Sequence, residues 1–145
     1  MSASIFITFG EPQHGWLPVC FRYHDFQLDF DASDVLFDPL EMLCNAIAHL
    51  QEGYPRRVEW WLEPAAYIFE FEKKGSNVCL TISVTDDLNN SNAPEKVLQT
   101  IELGRKQMFK PFITALRHFD TYTYEYIHWP YRLDAAKLKT LRADG

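Results

Sequence analysis

Apolar side chains recur at every second position through much of this chain, and elsewhere at every third or fourth. The first period belongs to half-buried strands, the second to amphipathic helices. S-I-F-I-T-F, residues 4–9, is a candidate strand, and G-E-P-Q-H-G after it is a loop rich in breakers. In V-C-F-R-Y the residues Val19, Phe21 and Tyr23 share a face. Beyond a turn at His24-Asp25, Phe26, Leu28 and Phe30 alternate with Gln27, Asp29 and Asp31. The pattern then changes period. Asp38 before Pro39 is an N-cap followed by proline at the first helical position, with Glu41 two residues on. Leu40, Leu43, Cys44, Ile47 and Leu50 follow at helical spacing, and Gly53 with Pro55 marks the expected helix end.

The stretch V-E-W-W-L-E-P-A-A-Y-I-F-E-F-E-K-K, residues 58–74, returns to period two. A turn at Glu63-Pro64-Ala65-Ala66 would set Leu62 opposite Tyr67, Trp60 opposite Phe69 and Val58 opposite Phe71. A second turn at Lys74-Gly75-Ser76-Asn77 would set Lys73 opposite Val78, Phe71 opposite Leu80, Phe69 opposite Ile82 and Tyr67 opposite Val84. Both registers collect the bulky residues on one side of a three-stranded meander, whose inner face is Val58, Trp60, Leu62, Tyr67, Phe69, Phe71, Leu80, Ile82 and Val84. A one-residue slip would invert a strand, so the agreement carries weight. After the polar loop D-D-L-N-N-S-N-A-P, a fourth strand is expected through Val97, Ile101 and Leu103, although Gln99 shares their parity. A second helix is predicted over 106–119, with Met108, Phe112, Ala115, Leu116 and Phe119 inward and Pro111 in its first turn or at a kink. T-Y-T-Y-E-Y-I-H-W-P suits a strand or a helical extension equally. Asp134 caps a short last helix through Leu138 and Leu141.

Strands joined by short turns on either side of a capped helix predict an α+β fold. The expectation is an antiparallel β-sheet of about six or seven strands with two or three helices packed on one face. No linker, repeat or low-complexity run divides residues 1–145, so a single domain is expected. Nothing here has the βαβ alternation or glycine fingerprint of a parallel nucleotide-binding fold.

Composition matters chiefly through charge. A net charge of -6 disfavours a nucleic-acid binder, which needs a concentrated basic face, and makes a basic protein the natural partner. The meander's outer face would carry Glu59, Trp61, Glu63, Ile68, Glu70, Glu72, Cys79, Thr81 and Ser83, with Glu59 directly opposite Glu70. Like charges facing across a ladder destabilise it, so this face calls for a cation from a neighbouring element, a basic partner, or acid–base chemistry. Arg56, Arg57, Lys73 and Lys74 lie near its ends. As a docking surface, Trp61 would be the anchor, and Glu59, Glu63, Glu70 and Glu72 would steer a basic surface towards it.

Other chemistry is sparsely signalled. Cys20, Cys44 and Cys79 are too far apart for a metal or redox pair, and their odd number suggests buried free thiols in a reducing compartment. The opening M-S-A-S-I-F-I-T-F-G lacks a basic start and a long apolar run, and no stretch is long enough to span a membrane. A cytoplasmic protein is therefore expected. Asp25, Asp29, Asp31, Asp34 and Asp38 do not follow a calcium-loop pattern. His14, His24, His49, His118 and His128 form no zinc motif, and no G-x-S-x-G elbow or phosphate loop occurs. No metal, cofactor or catalytic residue is expected.

F-D-P-L before the helix, and then Trp60, Glu63 and Pro64 ahead of Tyr67, Phe69 and Phe71, resembles small uncharacterised bacterial proteins with a W-x-x-E-P hairpin and a Y-x-F-x-F strand. The likeness is best over 37–84 and rests mostly on core and turn positions. Some proteins of this size and acidity are immunity partners of toxins, so the resemblance admits an immunity-type inhibitor. Two alternatives stay open. One is a ligand-binding domain or enzyme whose pocket is lined by Tyr122, Tyr124, Tyr126, His128, Trp129 and Tyr131; the other is a homodimer that buries Trp61.

Overall fold

The computed structural model describes residues 4–144; Met1 to Ala3, part of the opening read above for leader character, and Gly145 lie outside the described residues. The elements run β1 (Phe6–Phe9), β2 (Trp16–Tyr23), β3 (Phe26–Ser33), α1 (Pro39–Ala48), β4 (Arg56–Trp61), β5 (Ala66–Lys74), β6 (Asn77–Thr85), β7 (Glu95–Gly104), α2 (Arg105–Phe119) and α3 (Ala135–Thr140). This is the α+β class, with every strand pair antiparallel. The strands form two sheets rather than one, β1-β2-β3 and β4-β5-β6-β7. The break falls where α1 enters the chain. β3 approaches β4 and β5 without a ladder, joined by Phe30 against Trp60 of β4 at 5.8 Å and against Tyr67 of β5 at 4.9 Å.

A single cluster of buried side chains runs through both sheets and all the helices. Phe21 of β2 meets Phe69 of β5 at 5.4 Å, and Phe112 of α2 lies 6.4 Å from Phe21 and 5.4 Å from Phe71. Aromatic pairs in tilted or edge-on contact add about 0.5–1.5 kcal/mol each beyond the area they bury. The inner face of the meander is as the alternation predicts. Val58, Trp60, Phe69, Phe71, Leu80 and Ile82 are fully buried, and Leu62, Tyr67 and Val84 partly so.

The ladder between β4 and β5 differs from the expected one. Leu62 N–H donates to the Ala65 carbonyl (2.6 Å), so Trp61 pairs with Ala66, Trp60 with Tyr67 and Val58 with Phe69. The loop contains a cis Glu63–Pro64 bond, and Glu63 has φ +61°. The displacement is by an even number of residues, which preserves every face while changing every partner. Glu59 therefore lies opposite Ile68, and Glu70 lies opposite Arg57. The predicted Glu59–Glu70 confrontation does not occur. The β5–β6 register is the predicted one, Lys73 to Val78 through Tyr67 to Val84. In β7 a bulge between the partners of Ile82 and Ser83 reverses the parity. Val97 is thereby exposed, Leu98 packs on the core, and Gln99 pairs with Ile82.

α1 begins as read: Asp38 accepts from Leu40 N–H at 3.0 Å with Pro39 in the first turn. It ends earlier than expected, at Ala48, with His49 N–H bonded to the Asn45 carbonyl. Gly53 (φ +81°) serves the following turn, where Gln51 and Tyr54 form a bridge, instead of closing the helix. Pro111 stands inside α2, beyond its first turn, so the Gln107 carbonyl has no donor four residues on. Residues 121–131 form neither strand nor helix.

Burial raises the Asp38 carboxyl from 3.8 to about 6, opposed by bonds from Glu41 and Leu40 N–H. A folded-state pKa above the unfolded one favours the native state at low pH, and that contribution is lost as pH rises through about 6. Asp38→Asn keeps a capping oxygen without the buried charge. Its stability relative to the parent should rise by up to about 3 kcal/mol between roughly pH 4 and pH 7.5, measured by urea unfolding. Parallel pH profiles for the two proteins would refute this.

Candidate functional site

The sheet β4–β7 buries one face against the core. Its other face carries, row by row across the strands, Trp61, Ala66, Thr85 and Glu95; then Glu59, Ile68, Ser83 and Val97; then Arg57, Glu70, Thr81 and Thr100; then Glu72, Cys79 and Glu102; and last Lys74, Asn77 and Gly104. Ala66, Ile68 and Cys79 are buried but stand outside the core cluster, an apolar floor under longer polar side chains. The carboxylates of Glu59, Glu70, Glu72, Glu95 and Glu102 share this face with the cations Arg57 and Lys74.

Arg57 organises one side of the face. Its guanidinium lies 2.9 Å from Glu95, 3.5 Å from Glu59 and 3.9 Å from Glu70. The Glu95 bond holds the arginine above its ordinary pKa, and the arginine in turn holds the Glu95 carboxyl below the usual range. All four side chains are a quarter or more exposed, so each pair contributes at most about 1 kcal/mol and fades with salt. Glu72 and Glu102 have no ion pair among the described residues; Glu102 accepts from Asn77 Nδ2 at 3.1 Å. Trp61 is half-buried, and its Nε1 donates to the Pro64 carbonyl at 3.3 Å, which ties the indole to the loop and leaves part of its surface outward.

Of the residues singled out in the sequence, Glu59, Trp61, Glu70 and Glu72 share one face. Glu63 does not join them, because it lies exposed in the β4–β5 loop at the rim. The strand β7 adds Glu102, which alternates with the inward Ile101 and Leu103, and Glu95, whose place on this face was hidden by the bulge between Val97 and Gln99. The role of Arg57 was hidden by the register, which alone decides whether it meets a glutamate.

The aromatic C-terminal segment is used as a strap. Tyr122 Oη donates to the Phe9 carbonyl (3.2 Å), Tyr124 Oη to the Tyr131 carbonyl (2.7 Å) and Tyr131 Oη to the Asp34 carbonyl. Trp129 is buried, while Tyr126 is 79 % exposed. His128 Nδ1 accepts from His14 N–H at 3.0 Å, beside a small hollow of about 250 Å³ shared with Glu11, Tyr124 and Glu125. Hydroxyls held by backbone carbonyls are committed to fastening the segment.

Elsewhere the chemistry is local. Asp29 bonds Gln27 (2.7 Å) and approaches Arg22 at 3.9 Å, while Asp34 and Asp38 border α1. Burial raises the Cys44 thiol to about 11 and also raises Cys20. Among the described residues no group of three or more His, Cys, Asp or Glu is placed to hold a metal, and no helix is long and apolar enough to cross a membrane. No protein-family model, curated protein or solved structure matches this chain.

Proposed function

We propose that this chain is a non-enzymatic protein-interaction module that docks a basic partner on the outer face of β4–β7; its narrower form is an immunity-type inhibitor. The observation that carries this reading is the excess of Glu59, Glu70, Glu72, Glu95 and Glu102 over Arg57 and Lys74 on a sheet face outside the core. Long-range attraction from such a face raises the encounter rate with a cationic surface, and the exposed part of Trp61 offers an apolar contact once the two meet. Arg57 tempers the field and fixes the orientation of three carboxylates, so removing it should strengthen attraction at the cost of the stability its pairs contribute.

The test uses a synthetic helical peptide rich in lysine and leucine as the basic probe. Association with the parent should slow severalfold between about 0.05 M and about 0.5 M salt. Arg57→Gln should associate faster, and its stability should fall by no more than about 3 kcal/mol, at most about 1 for each of the pairs lost. Joint replacement of Glu59, Glu70, Glu72 and Glu102 by glutamine should abolish the salt dependence. Equal rates at both salt concentrations, or no loss in the glutamine variant, would remove the basis of the proposal.

A further inference from the structure

The edge of the other sheet has a different character. Among the described residues β1 pairs only with β2, so its second edge is open to them. Gly10 N–H bonds the Pro18 carbonyl at 2.9 Å, which makes that position a hydrogen-bonded pair. By alternation Thr8 and Phe6 exchange bonds with β2, whereas Ile5, Ile7 and Phe9 turn their peptide groups to the open edge. Tyr122 Oη reaches the Phe9 carbonyl from that side, in agreement with this parity. The N–H and C=O groups of Ile5 and Ile7 have no partner there among the described residues.

This edge is one wall of a cleft of about 640 Å³ between Ser4–Phe9 and α2. The facing wall is a stripe along the helix, Lys106, Lys110, Thr114 and His118, one residue in every four. α2 contains Arg105, Lys106, Lys110 and Arg117 but no aspartate or glutamate, a local basic element on a chain of net charge -6. We infer that the cleft is a strand-addition site for an extended acidic peptide segment of a partner, which extends β1-β2-β3 by pairing with Ile5 and Ile7 while alternate carboxylates face Lys106 and Lys110. Ser4–Phe9 spans roughly 20 Å of extended chain, room for a strand of about six residues.

The chemistry of both walls selects this occupant. A phosphate polymer would satisfy the lysines but could give no donor to the Ile7 carbonyl, whereas a peptide backbone supplies donor and acceptor in alternation. A second copy of this chain would bring S-I-F-I-T-F, which carries no carboxylate, and would set the α2 lysines near their own copies. The inference does not depend on the acidic sheet face.

The test measures binding of a capped peptide of about six residues alternating glutamate and valine, beside its lysine–valine counterpart and a glutamate form N-methylated at alternate amides. Hydrogen exchange reports on the protein. The expected result is binding of the glutamate peptide, protection of the Ile5 and Ile7 amides, and at least about tenfold weaker binding of both control peptides. Lys106→Glu with Lys110→Glu, both on the exposed side of α2, should also weaken it about tenfold and leave the fold intact. Equal affinity of the N-methylated peptide would overturn strand addition in favour of charge alone. Protection at Ile7 that grows with protein concentration and no peptide would overturn it in favour of self-pairing, and no binding of the glutamate peptide would overturn it outright.

Discussion

Replacing Trp60 with alanine should cost about 3–5 kcal/mol, the range for deleting a large aromatic from a packed core. Trp60 is fully buried and among the largest such side chains in the molecule. Its ring meets Phe9 at 5.9 Å, Phe30 at 5.8 Å and Phe69 at 5.7 Å, so it touches β1, β3 and β5 together. Alanine there would remove two of the aromatic contacts that join sheets lacking a ladder between them, those with Phe9 and Phe30. Trp60→Phe should behave differently. The indole Nε1 is buried with no hydrogen-bond partner among the described residues. Phenylalanine discards that unpaired donor, worth about 1–3 kcal/mol, and the gain offsets part of the lost volume. Urea unfolding should therefore place Trp60→Phe well above Trp60→Ala. Equal losses for the two variants would contradict this account of the site.

The second large effect is expected at Trp129, also about 3–5 kcal/mol on replacement by alanine. This side chain is 1 % exposed and belongs to the common core, although it lies in a segment with no regular structure. Its neighbour Tyr131 stands 5.5 Å away edge-on and donates its hydroxyl to the Asp34 carbonyl across the molecule. Tyr131→Phe removes only that bond, a loss of about 1 kcal/mol. Hydrogen exchange should show Trp129→Ala freeing residues 121–133 together with the Asp34 loop. A stability within about 1 kcal/mol of the parent would mean that Trp129 packs less closely than the structure shows.

These two tryptophans also mark what a sequence can and cannot reveal. The burial of Trp60 was legible, since its neighbours at every second position are apolar and only one strand face is. The partners of Glu59 and Glu70 were not, because a shift of two residues leaves the alternation unchanged and only the Leu62–Ala65 turn decides between registers. Val97 and Leu98 fail for a related reason: a bulge changes parity without altering composition. Trp129 illustrates a third case. T-Y-T-Y-E-Y-I-H-W alternates like a strand, yet Tyr122 within it and Tyr131 just after it bond carbonyls far away in the chain, which no local pattern records. Of the candidate surface, four of the five residues named from sequence share one face. The pairing of its organising cation and the place of Glu95 beyond the β7 bulge needed the three-dimensional register.

The acidic face and the basic cleft lie on different elements, so the two can be tested apart. The most direct measurement for the central claim is an amide exchange footprint of the protein with the lysine- and leucine-rich probe bound. The account predicts protection concentrated on β4–β7, at Glu59, Trp61, Glu70, Glu72 and Glu102, and loss of that footprint at high salt. Protection confined to other elements, or a footprint on this face that high salt leaves intact, would contradict it.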